Sequence, residues 1–599
     1  MQARSVKLHM AVVAPAPPEP VKARPIGPYV KQNVVSKRRL PRDPWLIAVL
    51  GIAVVALGLR LVGTPFGLPY HYHWDEPTLL NRVIRMGSGD LNPHYFWYPS
   101  LLMYVGLIFE GGLYLVGHLL HVYPSADAFA AAYFEDSTAM YLLGRILVAA
   151  IGAANVVVCY QVGKRFFSRP VGLIGALLLA VAPIHVSSSH FFTTDVPMTF
   201  LVLVAYLFIW NVYSRGTRRD YVLAAVMIGL GIATKYLPAL LLVSLVIAHV
   251  ARHRLLLGRW WPVPQVRLLL AAFGLAGAAF FVASPFVVID WHTALHDYAA
   301  LTAQKTAQGC QDCSLSFLPY VTNALPWSVG LIAYIAALAG LASLATARSE
   351  RRLELILFST FPLLLFAVVG AGRQPLARYL VPLAPFLALA AAAVIVWMAK
   401  DAAKRLPRLW PSLGRQLPNI TVAAAAALTL MALLPAAFVS ARYDVYLTHE
   451  DPRTQAAAWF NTHVPAGTTI AIQPIQDRYF LTAPVMTESQ LATIKGYIPA
   501  SKKTLVDKLD RYYRSGQVYP DVPFVYDLPT LRAEGVRYVI LSSAHYHNVD
   551  PAIEDPFYAD LARSGRVIAK FEPAEQLPDA TLYPVYMPTI MIYELPPTS

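Results

Sequence analysis

The chain has 599 residues, of which 56% are hydrophobic and only 14% are charged. Soluble domains carry about 25% charged residues, so this balance excludes a soluble enzyme and a disordered chain. The formal net charge is +14, from 49 basic against 35 acidic side chains, and the whole excess lies before residue 441. There the basic residues stand between apolar runs. A nucleic-acid binder would gather them on a polar domain, so the pattern reads as membrane topology instead. Three cysteines cannot form a disulfide scaffold.

Residues 1–43 are rich in Pro and basic residues and read as a disordered cytoplasmic tail. The first apolar run, 45–63, follows Lys37, Arg38, Arg39 and Arg42, which marks an uncleaved anchor with the tail inside. A bilayer core of about 30 Å needs about 20 apolar residues per helix. Further runs near this length are 138–162, 171–187, 197–214, 220–235, 238–251, 267–284, 326–346, 353–372, 378–398 and 418–438. One more run, 99–121, is decided by charge. Basic clusters stand at Lys164/Arg165/Arg169, Arg215/Arg218/Arg219, Arg252/Arg254/Arg259, Arg348/Arg351/Arg352 and Lys400/Lys404/Arg405/Arg408. They share the side of the tail only if 99–121 does not cross. That run also carries Glu110, His118 and His121, as suits an interfacial or re-entrant helix.

The expected fold is therefore a polytopic α-helical membrane domain over 44–440. It has about 11 spans, an external first loop at 64–137 and an extracytoplasmic C-terminal domain. Residues 441–599 change character. TTIAIQP and VRYVILSS read as buried strands, and TQAAAWFNTHV and TLVDKLDRYYR as amphipathic helices. Together they make an α/β domain.

Two acidic sites stand beside spans on the external side. The first loop has HWDEP, with His73, Asp75 and Glu76, and the loop before the fourth span has HFFTTDVP, with His190 and Asp195. Carboxylates near hydrocarbon are costly and mark function, although both also precede helices and could cap them. Lys235, Arg373 and Arg378 are basic residues on the same side, against the charge trend, as a lipid-linked phosphate or a lipid head group would require. Arg145, near the outer end of the second span, can pair with Asp75 or Asp195. His71, His73, His185, His190, His292 and His296 match no metal-ligand spacing, so a divalent metal stays open. Cys310 and Cys313, in GCQDC, read as a local disulfide outside the membrane. No Walker, dinucleotide or GxSxG motif is present.

HWDEP followed by WYPSLLMY, then YLLGRIL, GLIGALLLAVAP leading to TTDVPMTF, ATKY and ARYLVPLAPF, resemble in this order the GT-C membrane glycosyltransferases that use polyprenyl-phosphate sugars. The nearest branch is similar to the protein O-mannosyltransferases and the aminoarabinose (lipid A) transferases. Many relatives carry Lys before the first-loop proline, a phosphate ligand; this chain has Tyr98 there. The resemblance implies transfer of a hexosyl or pentosyl group from the lipid phosphate to a hydroxyl of a protein, lipid or glycan acceptor, with inversion. It implies Asp75 as general base, with Glu76 as second choice. Asp195, His190 and Arg145 would orient the acceptor, and Lys235, Arg373, Arg378 and Tyr98 would hold the donor phosphate. The rivals are a lipid-linked-sugar transporter or flippase and an inactive assembly subunit. The external domain has no WWDYG-like motif, which argues against an oligosaccharyltransferase.

Overall fold

The computed structural model describes residues 43–256, 263–307, 315–342, 349–373, 375–409, 417–473, 484–496, 498, 503–543, 551–577 and 582–596. The tail up to residue 42 lies outside these, as do Cys310 and Cys313. From Trp45 onward the chain is one compact unit.

The apolar runs fold as helices, because a backbone in hydrocarbon must satisfy its own polar groups. In chain order they begin with α1 (Pro44–Leu61), α2 (Glu76–Met86), α3 (Leu101–Leu119), α4 (Ala126–Glu135), α5 (Thr138–Phe166), α6 (Arg169–Ala180) and α7 (Pro183–Ser188). The next are α8 (Asp195–Ser214), α9 (Arg218–Thr234), α10 (Leu241–Val250) and α11 (Val263–Ala283). Later helices of the bundle include Leu331–Ala342, Ser349–Gly370, Ala384–Leu409 and Leu417–Tyr446.

Among the described residues, eight helices are long and apolar enough to cross a membrane, and nine if the bent pair Phe317–Val329 and Leu331–Ala342 is one span. The count differs from the eleven expected. Breaks at Val181, Lys235 and Leu237 leave the segments 171–187, 220–235 and 238–251 short. Conversely, α3 meets the length and composition for crossing, although the charge pattern reads it as interfacial.

Charge separates the two ends of the bundle. Helix α8 has 20 residues, about 30 Å at 1.5 Å per residue, with Asp195 at one end and Arg215 just past the other. Arg165 donates to the Leu207 carbonyl at 3.0 Å, and Arg252 to the Tyr213 and Ser214 carbonyls at 3.1 and 2.7 Å. Arg165, Arg215 and Arg252 thus gather at one end, while Asp195, Lys235 and Arg145 stand at the opposite ends of the same helices.

In the C-terminal part, both strands and both helices read from the sequence form. The sheet has the order β1-β2-β4-β3, with β1 (Ile470–Ile472), β2 (Tyr538–Ser542), β3 (Arg566–Phe571) and β4 (Ile590–Glu594). Within this sheet β1–β2 is parallel, while β2–β4 and β3–β4 are antiparallel. Side chains alternate between two faces. Ile470, Ile472, Ile540 and Ile592 pack with Phe460 of helix Pro452–His463, while Ala471, Val539 and Leu541 pack with Leu531 and Phe557.

This part meets the first loop in two places. Phe66 and Tyr72 cluster with Phe191, Tyr443, Tyr446, Val585 and Met587. Helix Lys503–Ser515 packs Leu505 and Leu509 against Ala131 of α4, and Tyr513 donates to the Phe134 carbonyl at 2.5 Å. At Gly63 (φ +81°) an added Cβ would stand 2.6 Å from the Leu447 Cβ, so a larger residue would separate the first loop from the helix that leads into this part.

Candidate active site

The site is built where the first loop, the α8 N-terminus, the α9–α10 break and the turn before Ala384–Leu409 meet. HWDEP starts α2, yet Asp75, at its cap position, makes no side-chain cap bond. His73 caps instead. Its Nδ1 accepts the backbone N–H groups of Asp75 and Glu76 at 3.1 and 3.2 Å. Such an acceptor must be neutral, and burial, with Arg378 and Arg145 nearby, holds the His73 ring well below its usual titration range. His71, stacked on Tyr141 at 3.8 Å, is likewise depressed to about 3, by burial first and Arg145 second.

Freed from capping, the Asp75 carboxylate pairs with the Arg378 guanidinium. Arg378 lies in the 3₁₀ turn Ala377–Leu383 that opens the next long helix. The pair is partly open to solvent, at 25% for Arg378 and 21% for Asp75. The buried Nε of Arg378 has no hydrogen-bond partner among the described residues.

Asp195 opens α8, where a carboxylate complements the helix N-terminus. Its Oδ1 accepts from Lys235 Nζ at 2.6 Å. Lys235 ends α9 in an extended conformation, in the break before Pro238. Its ammonium stands 5.6 Å from the Tyr98 ring centre and 5.3 Å from that of Tyr379, both within cation–π reach. The Arg378 guanidinium lies 5.7 Å from the same Tyr379 ring. Tyr379 therefore joins the two ion pairs into one patch. Sequence reasoning missed it, although an aromatic residue directly after Arg378 was a usable signal.

Arg145 does not reach Asp75 or Asp195. It forms a fork with Glu76, Nε to Oε1 at 2.9 Å and Nη2 to Oε2 at 2.7 Å, and both residues are buried. Its Nη1 donates to the Thr64 and Phe66 carbonyls at 2.6 and 2.8 Å, and Glu76 Oε1 also accepts the Phe192 N–H at 2.9 Å. Glu76 and Arg145 thus brace the first loop against α5 and the α8 loop.

His190 lies away from the patch. Its Nδ1 is 2.9 Å from the Val186 carbonyl oxygen, and its Nε2 is 2.8 Å from that of Val62 and 3.3 Å from Asp444 Oδ1. Arg373 is exposed. Among the described residues, no group of three or more His, Cys, Asp or Glu side chains is placed to hold a metal ion.

Residues 129–287 match the family model described as dolichyl-phosphate-mannose-protein mannosyltransferase. That stretch contains Arg145, Asp195 and Lys235. No curated protein matches the sequence. Among solved structures, the chain is similar to the ArnT protein of Cupriavidus metallidurans in its apo state, at 15% identity and a TM-score of 0.48, over 92% of this chain and 98% of that one. It is also similar to the apo Archaeoglobus fulgidus oligosaccharyltransferase, at 12% identity and a TM-score of 0.49, over 84% and 70% of the two chains. The S. cerevisiae protein O-mannosyltransferase Pmt1-Pmt2 complex, bound to its sugar donor, is similar at 20% identity and a TM-score of 0.33, over 43% and 35%. The described residues thus hold eight or nine helices able to cross a membrane, as expected of a multi-pass membrane protein, and residues 129–287, with Arg145, Asp195 and Lys235 among them, are similar to the dolichyl-phosphate-mannose-protein mannosyltransferases.

Proposed function

We propose that this membrane glycosyltransferase moves a sugar from a polyprenyl-phosphate donor to an acceptor hydroxyl, with inversion, at the outer face of the plasma membrane. The observation that carries the reading is the patch in which Arg378 and Lys235 share Tyr379 while Asp75 touches Arg378. It combines two cations, which suit a phosphate diester, with a carboxylate beside them. The matching family's description names a dolichyl-phosphate sugar as donor and a protein as acceptor.

In the reaction, the acceptor oxygen attacks the anomeric carbon and its proton passes to Asp75. The bond from that carbon to the phosphate oxygen breaks, and the lipid phosphate leaves with one more negative charge. A phosphate needs little protonation to leave; it needs charge stabilisation, which Arg378 and Lys235 supply. Asp195 holds Lys235 in place. The C-terminal part covers the site or selects the acceptor.

Lys235→Met and Arg378→Met proteins should each lose about 1.5–3 kcal/mol of donor binding, the worth of a hydrogen bond to a charged group. Titration of the purified variants with the lipid donor measures this. Unchanged affinity in both would remove the phosphate clamp.

The orientation follows from charge. Basic clusters favour the cytoplasmic side, which places the tail inside and the candidate site and residues 441–599 outside. In a cysteine-free background, single cysteines at the exposed positions Arg219 and Ser515 should label from the inner and outer face respectively. Labelling of both from one face would defeat this topology.

A further inference from the structure

We propose that Arg378 serves two anions in turn: it holds Asp75 while no donor is bound, and the donor phosphate takes it over, so that donor binding releases the base. The inference rests on the lipid-phosphate reading above and adds an order of events to it.

Three carboxylate–cation pairs surround the site, and they differ in exposure. Glu76–Arg145 is buried and fully bonded. Asp195–Lys235 is 6–8% exposed and flanked by two tyrosine rings. Asp75–Arg378 is 21–25% exposed. Breaking a buried pair leaves an uncompensated charge in a dry site. A partly solvated pair is weak and can exchange partners. Arg378 also has unused capacity, since its buried Nε has no partner among the described residues. A guanidinium offers five donors in a fixed fork, which suits two phosphate oxygens better than a single carboxylate contact. Among the described residues the Asp75 carboxylate makes no cap bond to the helix start, because His73 performs the capping.

Asp75 is thus engaged until the phosphate arrives, and donor binding precedes base action. After transfer Asp75 carries the acceptor's proton and the phosphate holds the extra charge. Loss of that proton to solvent restores the carboxylate, which competes again for Arg378 and helps expel the lipid phosphate.

The test uses farnesyl phosphate as probe and farnesol as control, on the full-length detergent-solubilised protein. Proteins compared are wild type, Asp75→Asn, Arg378→Gln and the double variant, with Asp75→Ala and Arg378→Lys as second choices should a variant fail to fold. An intramolecular competitor present about 80% of the time raises the apparent Kd about 5-fold. Asp75→Asn should therefore bind farnesyl phosphate about 5-fold more tightly than wild type. In the Arg378→Gln background the same change should give no gain. Unchanged or weaker binding in Asp75→Asn, with Arg378→Gln impaired, would overturn the exchange and leave the phosphate site standing. An equal gain in both backgrounds would also overturn it, because a general field effect needs no shared arginine. Wild-type binding no tighter than to farnesol, unaffected by Arg378→Gln, would overturn the phosphate reading itself.

Discussion

Asp75→Asn is expected to lower sugar transfer by about 100-fold or more, the usual contribution of a general base, while the protein still folds and still binds its lipid donor. Asn keeps the size of Asp, but it carries no charge to hold Arg378 and it cannot take a proton. Little stability should change, because the Asp75–Arg378 pair is partly solvated and such pairs are worth little. A helix-capping role would predict near-normal turnover, since Asn caps about as well as Asp. The His73 contacts already assign the capping bonds elsewhere. Release of lipid phosphate from a radiolabelled polyprenyl-phosphate sugar, measured with thermal stability on the same sample, separates these outcomes. Near-normal release in Asp75→Asn would end its assignment as base.

Glu76→Gln should fail differently. It leaves the Arg145 guanidinium buried without its counter-charge, and removing one partner of a buried ion pair costs about 3–5 kcal/mol. The variant should melt at markedly lower temperature and give less folded protein, and its activity should fall with the folded fraction. Arg145→Met should behave alike, because it strands Glu76 and frees the Thr64 and Phe66 carbonyls. The two losses should not add in the double variant, since each removes the same interaction. The discriminating quantity is turnover per folded molecule. A Glu76→Gln protein with normal melting and abolished turnover would move the base from Asp75 to Glu76.

Much of the architecture was legible because membrane insertion reads local windows. The segments Pro44–Leu61, Thr138–Phe166 and Asp195–Ser214 announce themselves by length and hydropathy alone. The segregation of Arg165, Arg215 and Arg252 from Asp195 and Lys235 follows from their places at opposite ends of about 20-residue helices. In the C-terminal part, the short apolar runs in TTIAIQP and VRYVILSS marked the buried strands β1 and β2. The six-residue edge strand β3 has a mixed burial pattern, and it escaped the reading together with β4.

The chain by itself determined a multi-pass helical protein with a basic end, and it singled out Asp75, Asp195, Lys235 and Arg378 as misplaced charges. Only the tertiary structure decided their partners. Asp75 and Arg378 are 303 residues apart, Asp195 and Lys235 are 40, and Glu76 and Arg145 are 69. No local pattern records such pairings, because a buried charge takes whichever opposite charge the packing brings within reach. The adjacent residues Asp75 and Glu76 look equivalent in HWDEP. Helix α2 turns one toward solvent and Arg378 and the other into the α5 interface, and that turn separates the candidate base from the brace.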